Sequence, residues 1–403
     1  MSFPVAKLGE VCSFVRGLTY SKSDEVEFSS NVVIRATNID LGTHKLDFNE
    51  LRYISDSIQI KDDKRLKKDD ILICTASGSK SHLGKVAIVD SDLGMAFGGF
   101  MGALRVNPLK ITPQYFFTFL VSSEFKRHIE SLSDGANINN LKFSQIENLE
   151  IPLPPLSTQQ KIVAKLDLIF AEIDKAAAAA ESSVKNAEAL FQSYLTEVFE
   201  RGGDDWIDKK LSDVSVYFGR GKSKHRPRND DSLYGGSYPF IQTGDVRNAQ
   251  KYITSYSKTY NEKGLAQSKL WKANTVCITI AANIAEIGVL KFDACFPDSV
   301  IGIVVDNEKI SEDFLYLMLL FAQQLIKSKS KGSAQENINL GTFEDMFFKV
   351  PPKVNQDKIV TELNHLKNIT DFIYSSKMKK INSFHLLKQS ILNQAFNGEL
   401  VKE

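Results

Sequence analysis

The side chains most able to do chemistry in this sequence are cations in one short run. Arg220, Lys222, Lys224, Arg226 and Arg228 alternate with small residues and His225, and no acid occurs between Gly219 and Asn229. Full charges on a Gly-, Ser- and Pro-containing loop suit phosphate contacts and counterion release. Lys327, Lys329 and Lys331 alternate with serines before Gly332 and form a second candidate patch. In the first half Arg16, Lys22, Arg35, Lys80 and Lys85 are spread more thinly. Polar side chains that could read base edges flank the predicted strands. Arg35, Thr37 and Asn38 follow one strand, and Gln242, Thr243 and Asp245 occupy the corresponding place later. Ser77, Ser79 and Lys80 precede Gly84, opposite Asn283 and Glu286 before Gly288. Arg suits guanine, Asn or Gln suits adenine, and an acid suits the cytosine amine.

Catalytic constellations are missing. Gly221-Lys222-Ser223 imitates the end of a phosphate-binding loop, but Val216 stands where its first glycine belongs. Gly98-Gly99-Phe100-Met101-Gly102 leads into a predicted strand and reads as a hairpin, not a dinucleotide loop. Glu124-Phe125-Lys126 lacks a partner acid and reads as a solvated helix face. Asn107-Pro108-Leu109 lacks the second proline and the aromatic residue of an amino-methylation motif. The histidines show no ligand spacing, so no metal site is expected. The expectation is a non-catalytic chain.

These residues must be positioned by 403 residues that are 43% hydrophobic and 25% charged, an ordinary globular composition with material for more than one core. Cys12, Cys74, Cys277 and Cys295 lie far apart without a CxxC pair, which excludes zinc-finger spacing and a disulfide framework. No signal-like start and no long apolar stretch occur, which predicts a soluble, cytoplasmic protein without membrane contact. With 50 basic and 49 acidic residues, any DNA-binding charge must be local.

The sequence is one plan written twice. Gly135–Pro155 aligns without gaps on Gly332–Pro352, and Lys161-Ile162-Val163 aligns on Lys358-Ile359-Val360. Lys7–Val11 resembles Lys210–Val214, Asp70–Ile73 resembles Asn274–Cys277, and Gly84 is set on Gly288. Each half opens with short β-type runs separated by Gly, Asn and Asp: Val32–Ile34, Ile71–Cys74, Val86–Val89 and Ala103–Val106, then Pro239–Gln242, Thr275–Ile280 and Ile301–Val305. Tyr115–Ile129 and Asp313–Lys327 have helical apolar spacing.

Each half then changes character after a Pro-Pro pair. Ser157 and Gln160 have capping-box spacing. Apolar or small residues follow in heptad steps: Ile162, Leu166, Ile169, Ile173, Ala176, Ala180, Ser183, Ala187 and Leu190. The second copy gives Ile359, Leu363, Leu366, Thr370 and Ile373, then Phe384, Leu387 and Ile391. Residues 157–200 hold 4 Lys and 7 acids (net −3), and 358–397 hold 6 Lys and 2 acids (net +4). Long breaker-free spans of opposite charge predict an antiparallel coiled coil, roughly 60 Å long at 1.5 Å per residue. Such a rod would space two reading heads.

Together these stretches resemble the specificity subunits of type I restriction–modification systems. Ile151-Pro-Leu-Pro-Pro-Leu-Ser-Thr-Gln-Gln-Lys-Ile-Val163 and the closing Leu387-Lys-Gln-Ser-Ile-Leu-Asn-Gln-Ala-Phe-Asn-Gly-Glu-Leu400 carry the resemblance. Pro351-Pro352-Lys353-Val354-Asn355-Gln356-Asp357 departs from it. The resemblance implies an α+β chain: two mostly β target-recognition domains with pseudo-two-fold symmetry, separated by two long helices forming an antiparallel coiled coil. The domains would span 1–153 and 204–350, with helical spacers at 154–203 and 351–403. Each would read half of a split, asymmetric site in double-stranded DNA, while the helices set the gap and dock two methyltransferase subunits. Those partners would use S-adenosylmethionine, and restriction (motor-nuclease) subunits would use ATP and Mg; this chain itself would need no cofactor. The competing expectation is a coiled-coil scaffold presenting two protein-interaction domains, against which the 220–228 loop argues.

Overall fold

The computed structural model describes residues 3–79, 82–133, 140–225, 227, 230–281, 284–329 and 340–401. The chain divides into two compact units, residues 1–180 with 378–403, and residues 181–377.

In the first unit the strands are β1 (Val5–Lys7), β2 (Cys12–Arg16), β3 (Glu25–Val26), β4 (Asn31–Ile34), β5 (Arg52–Ile54), β6 (Ile71–Cys74), β7 (Val86–Ile88), β8 (Ala96–Phe97), β9 (Met101–Val106) and β10 (Glu150–Pro152). They form sheets of order β2-β9-β6-β7 and β3-β5-β4-β8, plus the pair β1-β10. Strand β6 is apolar throughout because both of its faces are covered. Ile71 and Ile73 join Leu104, Tyr115, Phe116 and Phe119 on one face. Leu72 and Cys74 join Ile34, Phe97 and Ala103 on the other. The expected helix at Tyr115–Ile129 is divided into Pro113–Leu120 and Ser123–Ser133. Thr112 caps the first of these by accepting from the Tyr115 N–H (3.3 Å), with Pro113 behind it.

The second unit repeats this plan with β11 (Ile207–Lys209), β12 (Ser215–Arg220), β13 (Tyr234–Phe240), β14 (Tyr252–Ile253), β15 (Lys258–Tyr260), β16 (Leu270–Trp271), β17 (Val276–Thr279), β18 (Ile287–Leu290), β19 (Ala294–Cys295), β20 (Val300–Val305) and β21 (Phe348–Val350). Its sheets run β12-β20-β17-β18-β14 and β15-β13-β19-β16, with the pair β11-β21. The helix Glu312–Lys329 buries Phe314, Leu315, Met318 and Ala322 in the core beside Ile278 and Ile301.

Pairing corrects the sequence alignment of the halves by one register step. Ile71 pairs with Ile88 and Leu104, whereas Val276 pairs with Val289 and Ile303. Ile71 therefore corresponds to Val276, not to Thr275. Likewise the counterpart of Gly84 is Ala285 and not Gly288. Both have positive φ (76° and 60°), and their N–H groups donate to Cys74 O (2.9 Å) and Thr279 O (2.7 Å). Because strand side chains alternate in direction, a one-residue slip would have exchanged the faces.

One long helix runs Leu156–Arg201 and the other Lys353–Phe396. The first does not begin on the expected Ser157–Gln160 box, since Leu156 is already helical and Ser157 falls inside the first turn. Instead the Pro155 carbonyl accepts from the Thr158 and Gln159 N–H groups (2.9 and 3.0 Å). The two helices pack in each unit. In the first, Lys165 Nζ donates to Leu400 O (2.8 Å) and Lys388 Nζ to Asp174 Oδ1 (2.5 Å). In the second, Phe191 lies under Lys367 and Tyr194 Oη donates to Glu362 (3.5 Å). Within each unit a rising number in one helix meets a falling number in the other, so the pairing is antiparallel. Ile162, Leu166, Ile173, Ala180, Leu363 and Ile391 are buried as the heptads require. Leu190 and Leu387 are exposed (60% and 45%), and Phe191, Leu195 and Phe199 are buried instead, in the core of the second unit.

Candidate nucleic-acid interface

The same three loops meet at one end of the sheets in each unit. Strand β2 ends at Arg16 opposite Gly102, and β12 ends at Arg220 opposite Ile301. The next residue is glycine in both. Gly17 N–H donates to Met101 O (3.0 Å), and Gly221 N–H donates to Val300 O (2.8 Å). A Cβ on Gly17 would lie 2.0 Å from Gly98 O, and one on Gly221 would lie 2.3 Å from Phe296 O. Only glycine allows so close a crossing, so Arg16 and Arg220 are held at equivalent, exposed positions.

Arg35 and Gln242 are equivalent in the same way. Each opens a turn after the strand paired in parallel with the hairpin strand, β4 with β8 and β13 with β19, Arg35 directly and Gln242 after Ile241. The Arg35 N–H donates to Asn38 Oδ1 (2.9 Å), and the Gln242 N–H donates to Asp245 Oδ2 (2.8 Å). Asn38 is 2% exposed and its amide donates to the Asp47 and Glu50 carbonyls (3.0 and 3.1 Å). That withdraws Asn38 from base reading, because its polar atoms are spent on the loop. Thr37 is exposed beside Arg35, and Thr243 is half-buried beside Gln242.

In the first unit Arg35, Thr37, Lys22, Tyr20 and Phe100 line a cleft of about 590 Å³. A smaller one of about 120 Å³ holds Arg16, Thr75 and the other side of Phe100. Burial first, then the Glu25 charge, raises the Tyr20 hydroxyl above its ordinary value, so it stays a neutral donor. Ser77 and Ser79 form a local turn, with Ser79 N–H donating to Ser77 Oγ (3.1 Å). Lys85 is not available to a ligand. It is 7% exposed, its ammonium donates to Ile39 O (2.8 Å), and burial lowers its pKa.

In the second unit the described part of the cationic loop is anchored rather than slack. Arg220 Nε donates to Asp298 O (2.7 Å), Ser268 Oγ donates to Lys222 O (2.8 Å), and His225 N–H donates to Gln267 Oε1 (3.0 Å). His225 Nε2 is 2.7 Å from Asp230, whose carboxyl is held down at about 2 by Ser232 first and His225 next. The Lys222 and Lys224 side chains project into solvent. Beneath them Lys269 lies over the rings of Tyr217 and Trp271, 3.2 and 4.0 Å from their centroids. Sequence reading missed this aromatic support because its members are scattered over different strands.

Lys80, Arg226, Arg228, Asn283 and Lys331 lie outside the described residues. Lys327 and Lys329 fall in the last turn of the helix Glu312–Lys329, and their side chains lie outside them too. Among the described residues no group of His, Cys, Asp and Glu could hold a metal ion, and no helix is long and apolar enough to cross a membrane. All four cysteines are buried, free thiols.

The family described as type I restriction modification DNA specificity domain matches residues 2–180 and again 203–383. The StySPI specificity subunit of Salmonella potsdam is 28% identical, covering 99% of this chain and 89% of that protein. The EcoKI specificity subunit of Escherichia coli is 26% identical over the same shares. A solved chain of a type I R-M system, described for its complex assembly and conformational transition, superposes with a TM-score of 0.77 at 20% identity and covers 99% of this chain and 98% of its own. The HsdS subunit from Thermoanaerobacter tengcongensis gives 0.54 at 20% identity, covering 99% and 97%. With two copies of the domain built on one repeated scaffold, the chain belongs to the type I restriction–modification specificity subunits.

Proposed function

We propose that this chain is the double-stranded DNA recognition subunit of a type I restriction–modification complex, each domain reading one half of a bipartite, asymmetric site. The observation that carries this reading is the pair of equivalent positions Arg35 and Gln242. The scaffold around them is repeated down to the capping bond, yet the side chain offered to a ligand changes from a guanine-type to an adenine-type reader. Arg16 and Arg220 keep one type at their shared position, as phosphate contacts require. Lys22, Lys222 and Lys224 add charge around the same ends. Thr37, Thr243, Ser77 and Ser79 offer neutral donors and acceptors.

The two long helices would set the unspecific gap and dock two methyltransferase subunits. Leu168 (72%), Phe372 (72%) and Leu386 (74%) are exposed on them, as a protein-covered surface would need. S-adenosylmethionine would be held by those subunits, and ATP and Mg by restriction subunits. This chain then contributes recognition without catalysis or a cofactor, in the prokaryotic cytoplasm.

The test is a footprint. The chain assembled with its methyltransferase subunits should protect two short duplex segments separated by an unprotected-sequence gap, selected from a randomised pool. Equal affinity for every duplex in that pool would reject the reading.

A further inference from the structure

Among the described residues Phe100 stands apart from every core cluster. Its side chain is 73% exposed at the tip of the turn between β8 and β9. The backbone beneath it is fixed. Met101 N–H donates to Gly98 O (2.8 Å), and the Phe100 carbonyl accepts from both Thr75 and Ala76 N–H groups (2.9 and 3.2 Å). An aromatic ring left facing solvent on a fixed backbone adds nothing to the core. Both clefts of the candidate interface use it as a shared wall, with Arg35 and Lys22 on one side and Arg16 on the other.

An apolar ring standing between two sets of cations fits a duplex whose phosphates are gripped on either side of a base step. Apolar wedges of this kind enter a step, unstack it and kink the helix, at a cost offset by the wider contact that bending permits. Pyrimidine–purine steps open most easily. The second unit carries a serine at the equivalent position. The pairing Met101–Cys74 corresponds to Val300–Thr279, which places Ser299 at the position of Phe100. There Asp298 O is bound to Arg220 instead.

We infer that Phe100 is a specificity-determining wedge that inserts at a pyrimidine–purine step of the half-site read by the first domain and unstacks it, with no counterpart in the other half-site. This rests on the DNA-recognition reading above. It adds indirect readout, in which a step is chosen for how readily it opens and not for its base edges.

The experiment uses the full chain assembled with its methyltransferase subunits and a duplex carrying the selected site. 2-Aminopurine is placed in turn at each position of each half-site. Wild-type binding should raise fluorescence several-fold at one step of the first half-site, apart from the target base that a methyltransferase subunit flips out, and no position of the second half-site should show a rise that depends on Phe100. Phe100→Ala should abolish that rise and weaken binding at least tenfold, while Phe100→Trp restores the rise; the melting temperature of the free protein should stay put, given the exposure of the side chain. Protection of both half-sites with no Phe100-dependent fluorescence rise at any position would overturn the wedge and leave recognition standing. So would an equal loss of affinity on replacing thymine by uracil, because that result assigns Phe100 to a thymine methyl group. Absence of any protected bipartite site would instead remove the underlying reading.

Discussion

Gln356 makes in the second unit the set of hydrogen bonds that Gln159 makes in the first. Gln159 Oε1 accepts from the Thr112 N–H (2.9 Å), and Nε2 donates to the carbonyls of Lys110 (3.0 Å) and Pro154 (2.9 Å). Gln356 Oε1 accepts from the Ser311 N–H (3.1 Å), and Nε2 donates to Lys309 O (2.8 Å) and Pro351 O (3.3 Å). Both glutamines are 0% exposed. Each ties the first turn of a long helix to the loop that starts its unit's packing helix. Replacing either by leucine would strand three backbone groups, each costing about 1–3 kcal/mol when buried without a partner. Gln159→Leu and Gln356→Leu should each lose roughly 3 kcal/mol by urea denaturation. A loss under about 1 kcal/mol would show that water or relaxation replaces the amide.

That staple was hidden in the sequence for a physical reason. Gln160 sits at capping-box spacing from Ser157 and draws attention, while Gln159 next to it carries no local signal because two of its three partners lie 47 and 49 residues away. Local periodicity did reveal the strand runs and the long helices, since these depend on neighbours in sequence, and self-alignment of the two halves revealed the repeat. The seam was legible as far as Ala187 and failed at Leu190, where the buried position passes to Phe191. The candidate interface was legible by residue type alone. Arg16, Arg35, Arg220 and Gln242 were singled out and the Arg35 and Gln242 turns were matched, but the equivalence of Arg16 and Arg220 rests on strand register, and Asn38 could be separated from Arg35 only through its burial. Phe100 was read as part of a hairpin glycine cluster, which is true of its backbone and silent about its ring.

Charge and readout residues should separate in binding experiments. Lys222→Ala and Lys224→Ala remove exposed cations, so each should weaken binding alike on all duplexes and lower the slope of log K against log salt by about 1. Arg35→Ala should instead relax preference at one position of the first half-site, by about 1–3 kcal/mol of discrimination. The reverse pattern, with Lys222 changing sequence preference and Arg35 changing only the salt slope, would exchange their roles.

The buried thiols supply a pH signature. Burial pushes Cys12 up to about 12 from 9.0, and burial also raises Cys74, Cys277 and Cys295. A folded pKa above the unfolded one gives stability that is complete below pH 9 and is lost as pH rises toward 12. Thiolate absorbance should therefore be absent from the folded chain at pH 9.5 and appear in step with unfolding. Four thiols titrating in folded protein near pH 9 would contradict their burial.

Asp174 and Lys388 mark the register of the helix pair, and the spacing function can be tested through it. The pair is half exposed, so its own worth is on the order of 0.2–1 kcal/mol and should fade with salt in a double-mutant cycle. The seam carries the rest. Removing one heptad from the first helix alone keeps the phase of its apolar positions but offsets its partners by about 10 Å. That variant should lose cooperative binding to the bipartite site. Removing a matching heptad from the second helix as well restores the facing residues on a shorter rod. If the rod sets the gap, the doubly shortened chain should select a site whose gap is shorter by about three base pairs, at 3.4 Å per pair. Selection of the original gap by that chain would mean that something other than these helices fixes the distance between the half-sites.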